Sequence, residues 1–232
     1  MREIVLDTET TGFEPSEGHR IVEIGAVELW NHLPTGKTYH QYINPERAMP
    51  KEAFEVHGLG DDFLRDKPVF SAIGQAFLDF VGDARLVIHN AAFDMKFLNA
   101  ELGWVGLPQL PRDQALDTLA IARKKFPGSP ATLDALCRRF GVDNSSREKH
   151  GALLDSEILA EVYLELIGGR QPDLVLGARQ DRSASADAGS DRVWRPRPRL
   201  APLPPRLTEE EATAHAEFVA AMGDGAVWKS MD

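Results

Sequence analysis

Ile4-Val5-Leu6-Asp7-Thr8-Glu9-Thr10-Thr11-Gly12 is the stretch from which the fold can be read. Three apolar residues run into an acid, a threonine and a second acid before Thr-Thr-Gly breaks the pattern. This predicts a buried strand ending at a polar, active edge. Alternate side chains on a strand point to opposite faces, so Asp7 and Glu9 project together from one face. Like charges held that close disfavour joint ionisation, and a hard divalent cation relieves the conflict. The alternative is a solvated strand end with both acids facing water.

The chain has 232 residues, enough for one substantial domain plus further segments. Its single cysteine, Cys137, leaves no disulfide framework and no Cys-based zinc site within the chain, which fits a reducing compartment. There is no signal-peptide pattern at the start and no apolar run long enough to span a bilayer, so a soluble, cytoplasmic protein with no membrane partner is expected. The formal net charge is −10, from 36 acids against 26 Lys plus Arg. Proteins that hold nucleic acid by bulk electrostatics are usually basic. A nucleic-acid substrate would therefore be held locally and weakly, with help from something that delivers it.

Beyond the first strand, residues 20–29 alternate well enough for a second strand and 37–43 for a third, with short connections that favour an antiparallel meander. Residues 50–58 predict a short helix, and 69–81 a longer one ended by Gly82. Residues 85–90 form a fourth buried strand that runs directly into a helix over 91–102, placing Asp94 in its first turn. A short fifth strand at Ala115–Asp117 precedes a helix to Phe126, and another helix over 132–140 is capped by Gly141. After a polar loop at 143–149, a helix from about Ala152 to Ile167 carries Leu153, Leu154, Ile158, Leu159, Val162 and Leu166. Positions five apart do not share a helix face. His150 is therefore expected on a mobile loop, with Asp155 on the helix beneath it. An antiparallel meander followed by alternating strands and helices implies a mixed α/β sheet covered by helices.

Asp7, Glu9, Asp94 and Asp155 fall at element ends that such a sheet can bring together. A lone acid at a helix start is usually a cap or dipole partner. Here the acids come with Asp-x-Glu-Thr-Thr-Gly, with His-Asn-Ala-Ala-Phe-Asp, and with His150 five residues before Asp155. These motifs resemble the DEDD family of 3′–5′ exonucleases, in its histidine subclass; the tyrosine of the related subclass would stand at 151, which is Gly. Val5 to Gly12, Ile24 to Glu28, Val56-His57-Gly58, Val87 to Asp94, Leu133 to Cys137 and His150 to Tyr163 are further similar to the epsilon proofreading subunits of bacterial DNA polymerase III.

The resemblance implies a ribonuclease-H-like fold with a mixed five-stranded sheet over residues 1–170. It implies Asp7, Glu9, Asp94 and Asp155 as ligands to two divalent ions, Mg²⁺ or Mn²⁺, with Asp7 bridging, and His150 as general base. Two ions suit a phosphodiester because charge develops on both the attacking and the leaving oxygen, and Mg²⁺ needs only oxygen ligands. His150 has the right unperturbed pKa for a base near neutrality. The DNA 3′ end would lie against Thr8, Val56, His57 and Phe93, stacking without regard to base identity, together with Asp7, Glu9 and Asp155. For His57 and Phe93 a packing role is equally open. His89 and Asn90 could close the strand turn by hydrogen bonding, and Asp117 reads as a supporting residue.

Residues 171–207, rich in Pro, Arg, Ser and Ala, read as a disordered linker, and seven Arg against four Asp make it basic. Within it, Gln171-Pro172-Asp173-Leu174-Val175-Leu176 is similar to sliding-clamp-binding peptides. Thr208-Glu209-Glu210-Glu211 opens a helix with a capping box and acids that suit the dipole. By resemblance, residues 208–232 form the segment that docks on the polymerase alpha subunit, and tethering would raise the effective concentration of a weakly DNA-binding exonuclease. Some relatives also bind a small theta subunit, and the residues are silent on that partner. The expected function is proofreading of mispaired 3′ nucleotides, with an RNA-trimming exonuclease of the same superfamily or a noncatalytic polymerase scaffold as alternatives.

Overall fold

The computed structural model describes residues 1–145, 147, 149–169 and 208–222. By contact the chain divides into two units, Met1–Leu176 and Gly177–Asp232. In the first, strands β1 (Arg2–Thr10), β2 (Ile21–Trp30) and β3 (Leu33–Tyr42) form the antiparallel meander. Strand β4 (Arg85–Ile88) pairs in parallel with β1, and β5 (Ala115–Asp117) in parallel with β4, giving the order β3-β2-β1-β4-β5. The helices are α1 (Lys51–His57), α2 (Asp61–Leu64), α3 (Phe70–Val81), α4 (Ala91–Trp104), α5 (Thr118–Lys125), α6 (Leu133–Phe140) and α7 (Ala152–Leu166).

The apolar run of β1 is buried on both faces. Ile4 and Leu6 enter a core built with Phe70, Phe77, Phe97 and Leu98 from α3 and α4. Val5 points the other way, to Val27, Val87, Leu159 and Tyr163, under α7. Strand alternation then turns Asp7 and Glu9 to the same side as Val5, toward α7. A third cluster, with Ala122, Leu136, Cys137, Ile158 and Val162, packs α5 and α6 on the outer side of α7.

Helix α7 sits close to the sheet because β2 has a glycine at the crossing. A Cβ on Gly25 would lie 2.1 Å from the Leu153 nitrogen and 2.2 Å from the Ala152 carbonyl carbon. The buried Ser156 hydroxyl reaches the Gly25 carbonyl oxygen at 2.9 Å. Gly25 is also the cross-strand partner of Asp7. The first turn of α7 is thereby brought down next to that acid.

The boundaries differ from expectation at a few points. Strand β3 begins at Leu33 rather than at 37, because Asn31 (φ 50°) and His32 (φ 67°) make a two-residue turn with both residues left-handed and prolong the hairpin. Strand β4 stops at Ile88; Asn90 (φ 66°, ψ 51°) is the left-handed residue that turns the chain into α4. The single turn α2 has no periodic signal to reveal it.

In the second unit, the described part is α8 (Glu209–Ala221). Thr208 accepts from the Glu211 N–H at 3.2 Å while the Glu211 carboxylate accepts from the Thr208 N–H at 2.9 Å, the expected capping box. No residue of α8 is buried, and Phe218 and Met222 are exposed. The expected linker with its peptide at 171–176, and residues 223–232, lie outside the described residues. Among the described residues, no helix is long and apolar enough to cross a membrane.

Candidate active site

Three element ends meet over the sheet: the last residues of β1, the first turn of α4 after β4, and the first turn of α7. They bring Asp7, Glu9, Asp94 and Asp155 into one cleft of about 740 Å³, which Thr8, Phe93, Asp134, Arg147 and His150 also line. Glu9, Asp94 and Asp155 are only 8%, 3% and 3% exposed. Thr8, pointing away from α7, donates through its hydroxyl to Asp94 Oδ1 at 2.7 Å and so fixes that carboxylate at the helix start. His150 lies two residues before α7, as expected, and is exposed on the cleft rim. Its N–H donates to the Val56 carbonyl (3.3 Å), tying the loop to α1, and its Nδ1 lies 3.3 Å from Asp155 Oδ2. Side-chain donor atoms of Glu9, His150 and Asp155 all fall within 4.8 Å of one another, a spacing suited to a metal ion.

Crowding of acids has its electrostatic signature. Desolvation, then the charges of Asp94, Glu9 and Asp155, push Asp7 well above the ordinary carboxylate range. Glu9 is pushed from 4.5 up to about 8, first by burial and next by Asp155 and Glu23. Burial lifts Asp94 from 3.8 to about 7, although the Thr8 hydrogen bond works against the shift. Asp155 behaves differently. Burial raises it too, but His150 and Arg147 together outweigh burial and hold the carboxyl below its usual range. A set of oxygen donors that cannot all stay ionised without added positive charge is what a hard divalent cation satisfies. The residues present fit such an ion.

The other anticipated residues separate into two groups. Thr8 and Phe93 line the cleft, Phe93 packing on Phe97 with ring centroids 5.0 Å apart. Val56 and His57 lie outside the cleft lining; His57 is buried, and its Nδ1 accepts from the Leu59 N–H at 3.0 Å. Asp117 caps α5, accepting from the N–H groups of Leu119 (2.9 Å) and Asn90 (3.0 Å). His89 Nδ1 is 2.9 Å from the Thr118 hydroxyl, so it closes the strand turn.

Residues 4–163 match the family described as Exonuclease (RNase_T). A DNA polymerase III subunit epsilon from Rickettsia felis is 48% identical over 225 residues, covering 96% of this chain and 97% of its own length. The subunit epsilon of Escherichia coli K12 is 42% identical over 240 residues, covering 99% and 98%.

The chain belongs to the DNA polymerase III subunit epsilon family.

The fold of this epsilon-family chain is also that of the nuclease domain of 3′hExo, a DEDDh family member bound to rAMP (TM-score 0.61, 21% identity, 72% of this chain and 91% of that one). Two residues at or beside the epsilon-family cleft escaped sequence reasoning. Arg147 donates from Nε to Asp155 Oδ1 (2.5 Å) and from Nη2 to Asp155 Oδ2 (2.8 Å). Its Nη1 donates to Asp134 Oδ1 at 2.8 Å. Glu23 is a buried acid opposite Glu9 on β2, and His40 Nε2 partners it at 2.7 Å. Arg147 falls in a run of polar loop residues, and nothing local separates it from a solvated side chain. Glu23 was within sequence reach, because the alternation on β2 puts it on the α7 side with Gly25.

Proposed function

We propose that this chain is the proofreading 3′–5′ exonuclease subunit of a replicative DNA polymerase, with Asp7, Glu9, Asp94 and Asp155 holding two divalent ions and His150 acting as general base. The observation that carries the reading is the convergence of four acids in one cleft, three of them pushed above the ordinary carboxylate range. When bound, Mg²⁺ or Mn²⁺ would supply Lewis-acid stabilisation of the attacking and leaving oxygens of the phosphodiester. Asp7, whose carboxyl is raised by burial and then by the charges of Asp94, Glu9 and Asp155 alike, would be the ligand common to the set in this reading. Thr8 keeps Asp94 oriented through its 2.7 Å hydrogen bond.

His150 takes the proton of the attacking water, the general-base role that imidazole fills most often. Its position on a loop, outside α7, lets the ring move toward the substrate. Phe93 and the Thr8 backbone receive the 3′-terminal nucleotide. The Val56–His57 segment borders that pocket, held to the catalytic loop by the Val56–His150 hydrogen bond. Stacking on an aromatic face tolerates every base, which a proofreader requires. The acidic chain gains its DNA substrate through the polymerase. Residues 208–232 dock on the alpha subunit through the apolar side chains of α8, and 171–176 bind the sliding clamp. A theta-like subunit is not assigned a surface.

The test is digestion of a 5′-labelled primer with a 3′ mismatch, in Mg²⁺ or in EDTA. A Mg²⁺-dependent ladder from the 3′ end is expected for the natural chain, with His150→Ala slowed by roughly 10²-fold or more and Asp7→Ala inactive but folded. Cleavage retained by Asp7→Ala would overturn the metal assignment.

A further inference from the structure

We propose that Arg147 is a resident counter-ion of the carboxylate cluster, holding Asp155 until a divalent cation displaces it and then resting on Asp134. The inference depends on the reading of Asp155 as a metal ligand. Both Asp155 oxygens are engaged by the guanidinium fork, at 2.5 and 2.8 Å, and an incoming cation needs those same oxygens. Arg147 cannot leave by losing its proton, since a guanidinium stays charged at any working pH. It has to move.

The place it moves to is already built. Nη1 is 2.8 Å from Asp134 Oδ1 in the first turn of α6. The Arg147 side chain is 9% exposed and that of Asp134 46%, so the second carboxylate can take over the charge at the more solvated side of the cleft. A buried guanidinium left without a partner would be costly; Asp134 removes that cost. Arg147 Nη2 also lies 2.7 Å from His150 Nδ1. The same ring nitrogen stands 3.3 Å from Asp155 Oδ2, so guanidinium, imidazole and carboxylate meet at one point. One side chain therefore restrains a metal ligand and the general base together.

Two neighbouring substitutions should then act in opposite directions. Arg147→Gln removes the competitor, while Asp134→Asn removes the alternative partner and leaves Arg147 more firmly on Asp155. A purely structural role would make both substitutions loosen the site. The experiment is titration of the full chain with Mn²⁺, free ion being read by electron paramagnetic resonance, so no turnover is involved. For Arg147→Gln the expected Kd is roughly tenfold lower, the scale of one pair of charge-assisted hydrogen bonds. For Asp134→Asn it is about threefold higher, the scale of a half-exposed ion pair. The double variant should bind like Arg147→Gln, because without the guanidinium Asp134 keeps only its hydrogen bond from Asn144 Nδ2 (3.0 Å) and no longer bears on Asp155. A misfolded chain would bind more weakly, so a gain in affinity cannot come from a folding defect. Equal or weaker binding by Arg147→Gln while the natural chain binds Mn²⁺ would overturn the competition and leave the metal site standing. An unchanged Kd in Asp134→Asn would remove the second berth. No Mn²⁺ binding by the natural chain would overturn the metal site and the competition together.

Discussion

With Glu9 and Asp94 as the proposed ligands, metal affinity and stability depend on pH in a definite direction. Their carboxyls are raised, from 4.5 to about 8 and from 3.8 to about 7, chiefly by burial. The folded chain thus keeps protons that the unfolded chain releases, and the stability this contributes is full below the ordinary values and lost as pH climbs through the raised ones. A divalent cation binds the deprotonated form and works the opposite way. In EDTA the melting temperature should fall between about pH 5 and about pH 8, while the difference between Mg²⁺ and EDTA grows over the same interval. Scanning calorimetry in both buffers checks this; a difference that shrinks with rising pH would contradict the assigned ligands. Asp155, held low by His150 and Arg147, should add nothing to this trend. At this scale the places of the four acids and His150, at or beside strand and helix ends, were legible from local patterns, while their joint role came from the resemblance. Arg147 was not, since its partners lie on α6 and α7 and only folding brings them to it.

Among elements, the contact of α7 with β2 decides where Asp155 stands. Gly25 permits it, and a methyl group there would overlap the α7 backbone at 2.1 Å, where no flexible side chain can yield. Gly25→Ala should destabilise the chain by about 1–3 kcal/mol and displace Asp155 from Asp7. Urea denaturation would report the loss, and Mn²⁺ binding would weaken alongside it. Normal stability and normal Mn²⁺ binding in that variant would show that the helix can shift without moving its acid. The glycine itself was quoted within the Ile24 to Glu28 resemblance, but its reason is tertiary. Nothing in a strand sequence announces that a helix from 130 residues downstream must touch its backbone.

For the whole molecule, the proposed division of labour runs along the chain. Met1–Leu176 contains the sheet, the three apolar clusters and the complete acidic cleft. Helix α8 carries exposed Phe218 and Met222 with no buried residue of its own. Deleting 208–232 should therefore leave mismatch cleavage by the isolated chain unchanged and abolish co-purification with the polymerase subunit. Continued binding by the truncated chain would place docking elsewhere. The order of elements, the mixed sheet, the element ends that carry the acids and the α8 capping box all follow from rules that act over a few residues: strand alternation, helical spacing, caps and glycine stops. What those rules do not carry is pairing across long separations. The Arg147 link to Asp134, His150 and Asp155 and the Gly25 contact with α7 exist because packing presses α6 and α7 onto the sheet, whereas Glu23 stands beside Glu9 through the register of β1 and β2. Low dielectric in the resulting cleft then makes each of those charges matter.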